Sequence, residues 1–364
     1  MEHLVVAGVS VDVDPLGGLL DNVVFEHGGR RVAPLHRAPW LGVAAEIPPD
    51  TDPHLAKLAG DFFCAPFCKP DVEPSPFHGW SSNGEWRVER RHAAADGALT
   101  VDFRLVPPVM GAVLRKHVTV WPGQPVVYQR HVFHGGAGAL PVAHHAMVHV
   151  PGGAALSFSP KDFGATPVTP AEPDPARGRS LLAYPQRFAS LSAVALAAGG
   201  TVDASHYPYA HAHEEFCSLF DPQAATLGWS AALAVRDGFL FFALKDARVL
   251  TSTSLWMSNG GRDFAPWLSR HFAVLGIEES CAHFGEGHLA AITPNALTAA
   301  GYRTALTLDP AGETVVRYAF GGIPADPSWT RVTDIRLQGD TLTITDAGGA
   351  SATLPFDPNF FADA

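Results

Sequence analysis

The 364-residue chain has few cysteines, little charge and almost no helical pattern. Its four cysteines, Cys64, Cys68, Cys217 and Cys281, are too sparse for a disulfide scaffold and are expected to be free, buried thiols in a reducing compartment. Cys64-x3-Cys68 has no second Cys or His pair at zinc-finger spacing, so no metal is expected there. Charged residues make up only 17%, no basic run occurs, and the net charge is −11, which argues against DNA, RNA or an anionic membrane as partner. No stretch approaches the roughly 18 apolar residues of a membrane span. Met1-Glu2-His3-Leu4 has neither the cationic nor the apolar region of a secretory signal. A cytoplasmic protein is the expectation.

Apolar residues reach 47%, which excludes disorder, and 35 Gly with 31 Pro favour many turns over long helices. Period-2 segments dominate. Trp86 to Arg90 and Leu99 to Leu105 alternate apolar with polar around a turn at Asp96-Gly97. Lys116 to Trp121 and Val126 to Phe133 flank Pro122-Gly123-Gln124-Pro125 as a second hairpin. Further strands are expected at 231–235, 238–244, 315–320, 332–338 and 341–345, with one weak helical turn around 295–300. Strand after strand with closely spaced turns predicts an all-β chain, one large antiparallel β-sandwich with few short helices. The Pro-, Ala- and Asp-rich stretch 167–179 reads as an exposed loop inserted within a single domain spanning 1–364.

Four segments break the pattern by gathering aromatic, Gly and titratable residues. In Leu58 to Phe67 the lone charge, Asp61, is either a turn residue or a pocket carboxylate. In Pro76 to Trp86, His78 sits among Phe77, Gly79 and Trp80 ahead of a clean strand, which suits a binding loop on a rigid scaffold. In Val142 to Val150, His145 and His149 share one face of an extended chain and His144 takes the other. In Ser269 to Gly287, Glu278 ends an apolar run and Glu279 faces the opposite side; a carboxylate so placed has its pKa raised by desolvation. A histidine and a carboxylate together supply a general acid and a general base, which is all that opening and closing a sugar ring requires.

With these residues in this order, the chain resembles the aldose 1-epimerase (galactose mutarotase-like) superfamily over most of its length. Asp21 to Arg30 is similar to the opening strand and Gly-rich turn of the family. Gly60 to Phe67 followed by His78-Gly79, and then Trp86, resembles the stretch that carries its first active-site histidine. His145 sits where the family has its general acid, and Ile277-Glu278 resembles the step that carries its base. The resemblance implies the galactose mutarotase-like supersandwich and an enzyme that interconverts sugar anomers without metal or cofactor. In that scheme Glu278 is the carboxylate base, His145 the imidazolium acid and His78 their neighbour.

His213-Glu214-Glu215-Phe216 departs from the family's Asp-His-x-Phe, and 256–263 replaces a shorter loop, so galactose itself is not implied. Asp61, Trp80, His213, Glu215, Trp256, Asn259 and Arg262 are the expected substrate contacts, with Arg262 a candidate for a substrate carboxylate or hydroxyls. The partner is then a small carbohydrate, with no nucleic acid or membrane, and the protein a monomer or weak homodimer. Two other readings remain: a carbohydrate-binding or regulatory protein that lost turnover, and a metal site built on His211-x-His213 and Glu215 with His144 or His149.

Overall fold

The computed structural model describes residues 1–43 and 46–362. Two large antiparallel sheets face each other. The nine-stranded sheet runs in the order His206–Tyr207, Ala154–Phe158, Leu227–Ala234, Phe239–Asp246, Glu313–Pro324, Val126–His134, Val113–Val120, Leu99–Leu105 and Trp86–Ala93. The expected hairpins at 86–105 and 116–133 are both present, lengthened by a few residues. They alternate because one face packs on the core while the other meets solvent or a lighter layer.

The eight-stranded sheet carries the polar clusters. Its central strands are His213–Phe220, Ser252–Asn259 and Val274–Cys281, followed by Val142–His144 and Phe63–Cys64, with Ala146–His149 also paired to Val274–Cys281. These three long strands are buried on nearly their whole length. One core lies between the two sheets, with Leu255, Met257, Leu275 and Ile277 against Phe133, Phe241, Tyr318 and Phe320. A second core, including Phe62, Phe67, Phe216, Trp256 and Trp267, covers the outer face of the eight-stranded sheet. A third joins the far face of the nine-stranded sheet to the three-stranded sheet Val332–Gln338, Thr341–Asp346 and Ser351–Pro355. A four-stranded sheet formed by residues 2–32 completes the strand layers.

Among the described residues, α-helix is confined to short pieces at Pro53–Ala56, His288–Ile292 and Ala296–Ala299, with 3-10 turns at Trp80–Ser82 and Leu191–Ala193. The helix at Ala296–Ala299 is the expected turn at 295–300; Asn295 caps it by accepting from Leu297 N–H and Thr298 N–H in a reciprocal capping box. No helix among the described residues is long and apolar enough to cross a membrane. All four cysteines are free and buried.

The 167–179 stretch is exposed at 168–169, 173–177 and 179, but Pro167 is buried and residues 167–172 form one wall of a cavity.

Candidate active site

Strand register brings His145 and Glu278 together. Val142 pairs with Cys281, Ala143 with Ser280, and Ala146 with Ile277, so the same register sets His145 opposite Glu278 and His144 opposite Glu279. At His145 the ladder breaks. Its N–H turns instead to Phe62 O at 2.9 Å and Asp61 Oδ1 at 3.0 Å. The loop that supplies these acceptors depends on Gly60, at φ +60°, where a Cβ would lie 1.6 Å from Leu20 O.

His145 Nε2 lies 3.1 Å from Glu278 Oε1, and both residues are almost fully buried. Glu278 Oε2 and His145 Nδ1 have no hydrogen-bond partner among the described residues. Gly276, two residues before Glu278 on the same face, leaves the space open. A Cβ there would come within 2.9 Å of Glu278 Oε1 and 3.4 Å of His145 Cε1. Phe62 stacks on the His145 ring at 4.6 Å, and His78 meets it edge-on at 5.5 Å. His78 Nδ1 accepts from Cys68 N–H at 3.2 Å, which leaves Nε2 as the protonated nitrogen of a neutral ring.

Burial sets the protonation of the pair. It pushes the Glu278 carboxyl well above the usual carboxylate range and lowers His145 from 6.5 to about 4; it also holds His78 well below its ordinary value. Burial thus biases both groups toward their uncharged forms. Both directions run against an ionic pair of Glu278 carboxylate and His145 imidazolium. A medium that cannot solvate charge favours the uncharged form.

The pair opens on a cavity of about 850 Å³, with His78, Trp256 and Arg262 also in its walls. Trp256 Nε1–H donates to Glu214 Oε1 at 2.5 Å, and Ser258 Oγ donates to Glu214 Oε2 at 3.0 Å. Arg262 Nη1 is 3.2 Å from the same Glu214 oxygen, its Nε is 3.6 Å from Glu172, and its guanidinium lies 4.7 Å over Trp267. Arg262 thus ties the 167–172 wall to the sheet, and its charge is already matched by two carboxylates.

The other expected contacts are not in the cavity wall. Asp61 is fully buried behind His145, accepting from Gln129 Nε2 at 2.6 Å as well as from His145 N–H. His213 and Glu215 lie on the face of their strand opposite Glu214. His213 stacks on Tyr209 at 4.4 Å, and Glu215 accepts from Leu181 N–H and, at 2.7 Å, from Tyr184 O–H. Asn259 braces two loops, donating to Ala210 O at 2.7 Å and accepting from Ala273 N–H at 2.8 Å. Trp80 is 37% exposed and lies outside the wall. Trp86 is core, its Nε1–H donating to Ser81 O at 2.8 Å.

No group of three or more His, Cys, Asp or Glu among the described residues is arranged to hold a metal. Of the residues in that reading, His213 faces Tyr209 and His144 stacks on Tyr318 at 4.2 Å. Phe62 and Gly276 carry no mark of a site in the sequence, and the quartet 213–216 does not say which of its glutamates, Glu214 or Glu215, meets the cavity wall. Glu214 shares the parity of Phe216, an aromatic opposite Trp256 in the ladder, and that was the available signal.

Compared by sequence, the chain matches no family model and no curated protein. Compared by structure, it is similar to a galactose mutarotase related enzyme from Lactobacillus acidophilus: 10% identity, TM-score 0.54, covering 89% of this chain and 98% of that one. It is also similar to an aldose epimerase homologue from C. elegans, at 12% identity and TM-score 0.55 over 89% and 99% of the two chains. A galactose mutarotase-like protein from Lactobacillus casei gives 10% identity and TM-score 0.52, over 89% and 100%. The fold is that of the galactose mutarotase-like proteins.

Proposed function

We propose that the protein is an aldose 1-epimerase-like isomerase that interconverts the anomers of a sugar. The observation that carries this reading is a buried acid and a buried base in contact at 3.1 Å, both on the wall of a cavity large enough for a sugar. The hemiacetal carbon holds two oxygens, and adjacent acid and base atoms can serve both at once. Glu278 donates its proton to the ring oxygen as His145 Nε2 takes the proton of the anomeric hydroxyl, and the C1–ring-oxygen bond breaks to give the aldehyde. Rotation about C1–C2 presents the other carbonyl face. Closure then returns the proton from His145 to the carbonyl oxygen and that of the ring hydroxyl to Glu278. No proton is gained or lost over the cycle. His78 donates a hydrogen bond beside the pair, and Trp256 and Phe62 supply apolar surface for a sugar face.

The test is anomer exchange by NMR saturation transfer across a panel of neutral aldoses, aldose phosphates and uronic acids. Exchange above the uncatalysed rate is expected for a neutral sugar, with Glu278→Gln lowering it roughly 10²–10⁴-fold. Activity should persist through neutral pH and fall as pH drops toward 4, where His145 takes a second proton onto the pair. Saturable sugar binding with no exchange at any pH would instead establish a binding protein on this fold.

A further inference from the structure

The nine-stranded sheet carries a second, smaller cavity on its outer face. It holds about 290 Å³, near the lower end of the roughly 300–1,000 Å³ range of small-molecule sites. Two neighbouring cross-strand rows build its floor. In one, Asp102 stands opposite His117 and His117 opposite Arg130, with Arg90 opposite Asp102 at the sheet edge. In the other, His92 stands opposite Thr100, Thr100 opposite Thr119, and Thr119 opposite Tyr128. Val101, Phe103, Val118 and Phe133 alternate with them and point into the core between the sheets, so both rows face away from Glu278. Phe360, from the C-terminal segment, adds a wall, its ring 5.0 Å from that of Tyr128.

The charges and hydrogen bonds of this patch do not close. Arg130 is a donor-only group, yet its guanidinium makes no hydrogen bond among the described residues, and its side chain is 39% exposed. Glu313 stands 3.8 Å from it and is itself held by His134 at 3.0 Å. Asp102, the carboxylate in the wall, meets His117 Nδ1 at 2.6 Å and His92 Nδ1 at 3.8 Å. Arg90, exposed beyond it, has no ion pair among the described residues. Thr100 and Thr119 share one hydrogen bond at 2.8 Å, which leaves one hydroxyl proton free. Tyr128 O–H is spent on Gln124 Oε1, so Tyr128 and Phe360 present ring surface only. A cation would meet Arg130 and Arg90 beside a single carboxylate. An oxyanion would meet a guanidinium fork, imidazole and a hydroxyl, the donors that bind phosphate and carboxylate groups. No basic run in the sequence announces them, because register gathers Arg90, His117 and Arg130 from three separate strands of a chain whose net charge is −11.

We propose that this cavity binds a small oxyanion, the phosphate or carboxylate group of a metabolite, at a site separated from the sugar cavity by both sheets. Neither Glu278 nor His145 takes part in it, so it stands apart from the isomerase reading. Calorimetric titration of the full chain with inorganic phosphate, glycerol phosphate and lactate, each with and without saturating glucose, tests it. At least one oxyanion is expected to bind at one site per chain, with glucose leaving the titration unchanged. Arg130→Gln is expected to weaken that binding about 10–100-fold, the scale of hydrogen bonds made by a charged group. Arg104→Gln, on the same face but outside the wall, should change it by less than about 2-fold, because exposed charges are screened. Phe360→Ala is a second variant that leaves the sheet intact: it should weaken glycerol phosphate or lactate and spare inorganic phosphate. Binding of both phosphates without lactate assigns the site to phosphate esters, and lactate binding assigns it to carboxylates as well. No saturable oxyanion binding below about 10 mM, equal losses in Arg130→Gln and Arg104→Gln, indifference to both Arg130→Gln and Phe360→Ala, or displacement by glucose overturns the proposal.

Discussion

Glu278 and Glu279 are adjacent, on one strand, and equally buried, yet they face opposite surroundings. Glu279 points between the sheets, where it accepts from Ser230 Oγ and from Thr253 Oγ1 at 2.7 Å and pairs with Lys245 at 2.7 Å. Lys245 also meets Asp221 at 2.7 Å, and Asp221 is held by Lys161 at 2.5 Å. Two lysines and two carboxylates neutralise one another there. Glu278 points outward to a cavity, touches one histidine and leaves an oxygen without a protein partner. Burial alone therefore does not mark the site. An ionisable group that is buried and left incomplete beside a cavity does, because the surrounding fold has held it there at a cost in stability.

The largest effect expected from this comparison separates the two carboxylates completely. Glu279→Gln leaves Asp221 alone against Lys161 and Lys245, an uncompensated buried charge, and should cost roughly 3–5 kcal/mol. Its exchange rate per folded molecule should stay within a few-fold of the parent. Glu278→Gln should lose exchange and gain stability above the ordinary carboxylate range. A carboxyl whose pKa is raised on folding contributes fully at low pH and loses that contribution as pH climbs from 4.5 toward the folded value, and Gln removes the loss. Urea melts of both variants at pH 5 and pH 8 would check this. A stable Glu279→Gln, or a destabilised Glu278→Gln at pH 8, would break the contrast.

The same contrast explains what could be read from the sequence. The hairpins at 86–105 and 116–133 were visible because each has one packed face and one lighter face, so hydrophobicity alternates. The site strands are covered on both faces. In His213–Phe220 the polar pair Glu214 and Glu215 is buried on both sides, and no alternation says which of the two meets the cavity. The family resemblance and the clustering of titratable residues point to Glu278 and His145; their contact follows from a register that joins residues 133 positions apart. Arg262 is expected to meet a substrate carboxylate or hydroxyls or to form a salt bridge, and its actual partners, Glu214 and Glu172, come from a separate strand and from the inserted loop. Nothing local in the sequence announces either ion pair.

A second, cumulative effect, spread over many rings, should appear on acidification. Burial lowers His145 and His213 to about 4 and His36 to about 3, and moves His54, His131, His144 and His271 in the same direction. A histidine depressed on folding stabilises the fold above its ordinary 6.5, and that contribution is lost as pH falls toward the folded value. For His145 alone the full loss is on the order of 3 kcal/mol. Stability should thus fall between pH 6.5 and 4 with more than one proton taken up on unfolding, and the slope should flatten in His145→Asn. A slope in His145→Asn identical to the parent's would show that this ring is hydrated and charged in the folded protein.

The smallest expected effect tests where the reacting groups end. Asp61 is as buried as Glu278 and lies next to the pair through His145 N–H, but both its oxygens are occupied, by that N–H and by Gln129 from the facing sheet. Asp61→Asn keeps the shape and one acceptor while turning an N–H group toward a donor. Because His145 N–H also reaches Phe62 O at 2.9 Å, the strand break should survive. The expected loss in kcat is then about 10-fold, with KM little changed, a positioning effect well short of losing the acid or base. The acid limb of the exchange profile should shift as well, since Asp61 is the nearest charge that favours protonated His145. Removing it should move that limb to lower pH. A loss as deep as that of Glu278→Gln would place Asp61 among the proton-transferring groups and dissolve the boundary between satisfied and unsatisfied carboxylates.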